Sequence, residues 1–231
     1  MLKTINANLA NQIKTVSNNF FAYFETSNGK LPNDWHYTKL TNIANIDTGY
    51  SYKGSELKPS NIAMATIKNF NRKGGFNIEG FKEIQPSKNV KREKYAKKFD
   101  ILVAHTDLTQ NADIIGNAEP VLDTSDYNDI IYSMDLVKVT PKDNIISPFL
   151  LSLILQGEAL KAHCLGYVNG TTVLHLSKKA LKEFTVPLPN NLSTLDDIDE
   201  FSQKAYLTMA NNLTENRYLQ LLKGKLLDKY F

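Results

Sequence analysis

Apolar side chains recur at steps of three and four through the first 25 residues, at Leu2, Ile5, Leu9, Ile13, Val16, Phe20 and Phe24. That spacing places them on one face of an amphipathic helix, with mostly Asn, Lys, Thr and Gln opposite. Ser27, Asn28, Gly29 and Pro32 then stop it, since Gly suits a C-terminal cap and the residue before Pro resists helical dihedrals. From Leu31 to about Pro189 the period shortens. The runs Leu40–Ile46, Asn61–Ile67, Asp100–Ala104 and Tyr132–Val139 are short, apolar and bounded by Gly, Pro, Asn or Asp, and they predict strands. One helix interrupts them from Ser147 to about Leu160, with Ser147 as cap, Pro148 in the first turn, and Phe149, Leu150, Leu153 and Ile154 as its buried face.

After Pro187-Leu188-Pro189-Asn190-Asn191 the helical period returns. Ile198, Phe201, Ala205, Met209, Leu213, Leu219, Leu222 and Leu226 trace a stripe, interrupted by Asn216, along roughly 45 Å of helix at 1.5 Å per residue. Strand runs with few helices and no βαβ alternation predict an α+β fold. Its parts are an N-terminal helix over 1–28, a mixed, mostly-β domain over 29–190 and a long C-terminal helix over 191–231. The last helix is too long for a domain of this size to cover. The two terminal stripes are free to pack on each other, on the same globular domain or on a second chain.

Composition and charge narrow the function. The 231 residues, 42% of them apolar, suffice for a sizeable core without disulfides or metals, and the single cysteine, Cys164, fits a reducing, cytoplasmic compartment. The first residues lack the unbroken apolar run of a signal peptide, and no membrane-spanning stretch occurs. A net charge of +3 is small, but its distribution is uneven: Lys68 to Lys98 holds ten Lys or Arg against three Glu, whereas Asp107–Asp143 and Asp196–Glu200 are acidic.

The chain carries no phosphate-binding glycine loop, HExxH, paired CxxC or GxSxG, nor the run that amino-methyltransferases use to hold a target base. Asp47-Thr48-Gly49 looks like an aspartic-protease triplet, but only one copy occurs and a turn is the simpler reading. Glu56-Leu57-Lys58, with Asp34 or Asp47, matches part of a nuclease carboxylate cluster in a pattern common by chance. His36, His105, His163 and His175 share no ligand spacing, so no metal site is expected. Nucleic acid is better supported. Lys68-Asn69-Phe70-Asn71-Arg72-Lys73-Gly74-Gly75 combines cations for phosphates with Asn side chains that can read adenine edges. Two further loops share the mixture, one with Tyr50, Tyr52 and Lys53, the other with Asn169 and Thr171, and His105 is a further candidate to touch a base.

Four segments in order, Leu31-Pro32-Asn33-Asp34-Trp35, the strand and turn ending at Gly49, Lys98–Ala104 and Leu181–Pro189, resemble the specificity subunits of type I restriction-modification systems. Ile5–Phe21 and Thr214–Leu227 resemble the helices that precede and follow a recognition domain in that family. The resemblance implies a non-catalytic target-recognition domain that reads half of a bipartite site in double-stranded DNA. It implies methyltransferase partner subunits that supply S-adenosylmethionine, a nuclease subunit where the system has one, and helices that pair as an antiparallel coiled coil or bundle. Full members carry two recognition domains; this sequence shows one, without an internal repeat after residue 190. Two copies joined through Leu9, Ile13, Phe20, Phe201, Met209, Leu213, Leu222 and Leu226 would restore the pair and impose an interrupted palindrome. The alternative is a helical-dimer interaction protein, such as a restriction antagonist, that does not bind DNA.

Overall fold

The computed structural model describes residues 1–143 and 145–230; Phe231, the end of the predicted C-terminal segment, lies outside them. Helix α1 (Leu2–Phe21) is followed by β1 (Trp35–Lys39), the single turn α2 (Leu40–Ile43), β2 (Ala44–Thr48), β3 (Ile62–Ala65), β4 (Lys82–Glu83), β5 (Tyr95–Ala96), β6 (Ile101–Ala104), β7 (Thr106–Asp107) and β8 (Ala118–Pro120). Then come β9 (Asp129–Tyr132), β10 (Leu136–Pro141), α3 (Pro148–Leu155), α4 (Glu158–Leu165), β11 (Val168–Asn169), β12 (Leu174–Leu176), α5 (Ala180–Glu183), β13 (Thr185–Pro189) and α6 (Asp196–Tyr230). This is the expected α+β arrangement, a β-rich domain between two long helices.

Side-chain alternation explains how the sheets stack. On β6 the four residues are all buried, yet Ile101 and Val103 enter one hydrophobic cluster and Leu102 and Ala104 another. A strand covered on both faces reads as a continuous apolar run, as Asp100–Ala104 does. β6 sits inside the antiparallel sheet β2-β10-β6-β8, and β10 divides its residues in the same way, Val137 and Val139 to the first cluster and Leu136 to the second. The second cluster is closed by the sheet β4-β3-β9-β5, in which β3 and β9 run parallel. A third sheet, β11-β12-β7, lies beyond the end of β6. β1 and β13 pair antiparallel, Trp35 opposite Pro189 and Lys39 opposite Thr185, so the segments that open and close the domain in sequence also close it in space.

Three expected elements differ, each for a local reason. Leu40 and Ile43 are both buried, and their spacing of three is met by the helical turn α2 rather than by a strand. The run Tyr132–Val139 is broken by a turn in which the Leu136 N–H donates to the Ser133 carbonyl, sending β9 and β10 into different sheets. The helix from Ser147 stops at Leu155, because Gly157 lies against α1: a Cβ there would sit 2.3 Å from Ser17 Oγ. Asn18 Oδ1 accepts the Glu158 N–H at 2.8 Å and starts α4.

The terminal helices are part of the main core. Ile13 and Met209 are buried in the first cluster, which corrects their assignment to a dimer seam, while Leu9, Phe20, Phe201 and Leu213 pack against that cluster and remain partly exposed. α1 and α6 are also joined by polar contacts, Asn6 Nδ2 donating to the Met209 carbonyl and Asn212 Nδ2 donating to Asn6 Oδ1. Beyond Arg217, α6 leaves the body. Tyr218, Leu219, Leu221, Leu222, Leu226, Leu227 and Tyr230 are all exposed, so of the proposed seam residues Leu222 and Leu226 remain available.

Candidate nucleic-acid interface

The ends of β2, β6 and β10 lie side by side, and the backbone joins the loops that leave them. Gly49 approaches so closely that a Cβ would fall 1.9 Å from the Ser133 carbonyl oxygen, which explains the glycine after Asp47-Thr48 without invoking catalysis. Met134 N–H donates to the Tyr50 carbonyl, His105 N–H to the Asp135 carbonyl, and Leu176 N–H to the His105 carbonyl. Asn169 in turn pairs with His175. These bonds bring the Tyr50–Lys53 loop, His105 and the Asn169–Thr171 hairpin onto one continuous loop face. Exposed Met134, His175 and Lys178 belong to it too.

A buried carboxylate organises the most basic part. Glu56 accepts hydrogen bonds from Ser87 N–H and Oγ, Lys53 N–H and Tyr50 Oη, at 2.6, 2.8, 2.6 and 2.8 Å respectively. The Ser87 N–H, then that of Lys53 and the two hydroxyls, hold its carboxyl down at about 2. Both its oxygens are engaged in tying two loops together, a structural role that accounts for Glu56 without the nuclease-like reading of Glu56-Leu57-Lys58. Lys94 Nζ donates to the Thr48 carbonyl and Oγ1, tying the second loop to the end of β2. Between these ties Lys88, Lys91 and Arg92 stay exposed and form no ion pair among the described residues. They belong to the basic run but lie outside its glycine-rich turn, and the Pro86-Ser87 corner is the sequence signal for a loop there.

Other candidates fare differently. Tyr50 is half-buried with its hydroxyl engaged by Glu56, and Tyr52 packs beside Met64, Ile84 and Ile131, while Lys53 is exposed. His105 is half-buried, and burial together with His175 and Lys178 lowers its pKa, favouring the neutral imidazole. Asn169 and Thr171 are exposed. Asn69 cannot read a base: it is fully buried, its Oδ1 accepting the Thr66 N–H and its Nδ2 donating to the Asn77 carbonyl. Lys68, Asn71, Arg72 and Lys73 are exposed on a turn that none of the bonds above joins to those loops, with Arg72 3.6 Å from Asp113. Arg72 to Gly75 line a cleft of about 560 Å³ whose opposite wall is α1 and the start of α4. His36 and His163 bond locally to Asn190 and the Ala180 carbonyl, and no group of three or more metal-capable side chains occurs among the described residues.

The profile of type I restriction modification DNA specificity domains matches residues 32–222, most of the chain. The chain belongs to this family. Among solved structures, this specificity domain is similar to the S subunit of the type I restriction-modification system from M. genitalium, at 15% identity and TM-score 0.55, covering 100% of this chain and 54% of that one. It is similar to the HsdS subunit from Thermoanaerobacter tengcongensis, at 17% identity and TM-score 0.54, covering 99% and 52%. A chain from a study of complex assembly and conformational transition in the type I R-M system matches at 18% identity and TM-score 0.54, covering 99% and 53%. At these identities the likeness concerns the fold. The specificity domain thus spans about half the length of the solved chains it matches. A comparison with curated proteins returned no match. No helix among the described residues is long and apolar enough to cross a membrane.

Proposed function

We propose that this specificity domain reads one half of a bipartite site in double-stranded DNA and directs methyltransferase subunits, and a nuclease subunit where one exists, without catalysing a reaction itself. The partner methyltransferase supplies S-adenosylmethionine and flips the adenine it modifies. What supports this reading is a set of exposed cations and polar side chains, Lys53, Lys88, Lys91, Arg92, Asn169 and Thr171, on loops that backbone hydrogen bonds and Glu56 link to one another, in a member of a DNA-specificity family. Cations there hold phosphates and the polar tips touch base edges. Two copies pair through the projecting part of α6 in antiparallel fashion, so that twofold symmetry makes the target an interrupted palindrome.

Co-expression with the adjacent methyltransferase, followed by genome-wide mapping of methylated adenines, tests this. Methylation confined to an interrupted palindrome is the expected outcome. An asymmetric bipartite site overturns the symmetric pairing, and absence of any affinity for DNA over a salt series overturns the recognition role in favour of a protein-binding one.

A further inference from the structure

The turn Arg72–Gly75 is anchored by a group the recognition face does not use. Glu119, on β8, is buried, with Oε1 accepting the Gly75 N–H and Oε2 accepting Gln156 Nε2, both at 2.7 Å. Gln156, at the end of α3, accepts through Oε1 the hydroxyl proton of Tyr206 at 2.7 Å, and Tyr206 is a buried residue of α6. Gly74 and Gly75 have φ of +90° and +98°, so the turn depends on glycine and gains little rigidity from its own backbone preferences. Arg72 forms an ion pair with Asp113 and is itself largely exposed, a contact of small energetic weight. Glu119 has no cation paired with it among the described residues, and Lys161, which lines the same cleft, is engaged by the carbonyls of Ala112, Asp113 and Ile115. A buried carboxylate without a cation is costly, and here it spends both oxygens on fixing one turn to one helix.

We propose that the Glu119–Gln156–Tyr206 chain is a positioning device that sets the Arg72–Lys73 turn relative to α6, so that these two cations engage DNA phosphates only while the chain is intact. The proposal rests on the DNA-recognition reading above. Glu119 is a positioning residue: it touches the turn's backbone and lies behind it. Gln at this position preserves the chain, because its carbonyl still accepts the Gly75 N–H and its amide donates to Gln156 Oε1 once that amide turns over, with Gln156 Nε2 then donating to the Tyr206 oxygen. Ala preserves neither bond.

The test measures affinity for random duplex DNA against salt, together with amide hydrogen exchange, on Glu119→Gln, Glu119→Ala, Arg72→Ala/Lys73→Ala and the triple variant. Glu119→Ala is expected to weaken binding by about tenfold and to flatten the salt slope by about 2, one counterion for each lost phosphate contact. The triple variant binds no more weakly than Arg72→Ala/Lys73→Ala, and Glu119→Gln stays within about twofold of the unaltered protein. Exchange at residues 71–76 accelerates at least about tenfold in Glu119→Ala alone, with core amides unchanged. Multiplicative losses in the triple variant, or unchanged exchange in Glu119→Ala, overturn the proposal. If Glu119→Ala does not fold, Gln156→Leu is read in the same assays, and unaltered exchange at residues 71–76 there overturns it as well. If the unaltered protein fails to bind DNA, the recognition reading falls, while the exchange comparison still decides whether Glu119 positions the turn.

Discussion

Two buried carboxylates fix loops by opposite electrostatics. Glu56 is surrounded by N–H and O–H donors that stabilise its charge, whereas Glu119 is so enclosed that burial outweighs its two donors and pushes its carboxyl up to about 7. A folded value above the unfolded one of about 4.5 means that the native state holds the extra proton between those limits. This contribution to stability is therefore present below pH 4.5 and lost as pH rises through 7. Compared with Glu119→Gln in urea titrations, the unaltered protein loses on the order of 3 kcal/mol across this window, and a constant difference from pH 4.5 to 8 refutes the assignment. For Glu56 the sign reverses: its hydrogen bonds stabilise above 4.5 and fade as pH falls toward 2. Glu56→Ala loosens both loops, and we expect DNA affinity to drop by about an order of magnitude with little change in salt slope, since Lys94 still ties the cationic loop to Thr48 and its cations keep reaching phosphates. A drop in slope instead would show that the loops' cations had ceased to engage DNA.

At the level of elements, one stripe of α6 serves two purposes that its sequence does not distinguish. Met209 and Leu222 occupy the same kind of periodic position, yet the first is buried and the second about half exposed. Ile13→Ala, in the middle of α1, deletes a fully buried side chain and costs about 2–5 kcal/mol in chemical denaturation of the monomer. Leu222→Ala leaves that stability within about 0.5 kcal/mol but lowers the dimer fraction seen by light scattering. Equal effects of the two substitutions on unfolding would mean that the projecting turns are covered within one chain. The helices were legible because amphipathic periodicity over five or more turns is a strong signal, and Ile101–Ala104 because a strand that meets a core on each face favours apolar residues at successive positions. The break at Gly157 was not, since its cause is the approach of Ser17 from a distant segment. Nor could Leu40 and Ile43 reveal a single helical turn, as their spacing fits either state over so short a span.

For the whole molecule, the sequence separated a basic region from acidic ones but could not tell which basic loop joins the recognition face. By composition Asn69 suits base reading, yet its amide is consumed by Thr66 and Asn77; Lys91 and Arg92 carry no such signal, yet they follow Ser87 in the loop that Glu56 ties to Lys53. Removing both Lys91 and Arg92 by Ala substitution is expected to weaken binding to all duplexes alike and to reduce the salt slope by about 2, as filter binding at several salt concentrations will show. Loss of affinity for one sequence alone would place them at base edges instead.

α6 leaves the body at Arg217. Arg217 is held there by Asp126 and by Asp123, the latter at 3.6 Å, and the helix continues unbroken to Tyr230. Those last turns amount to a lever of about 20 Å at 1.5 Å per residue, and a tilt of about 10° at its foot shifts the tip by about 3 Å. One base-pair step is about 3.4 Å. In the symmetric pair proposed above, the pivot formed by Arg217 and its two aspartates would act as a gauge of spacing: an error too small to disturb either loop face would put the two half-sites one base pair out of phase.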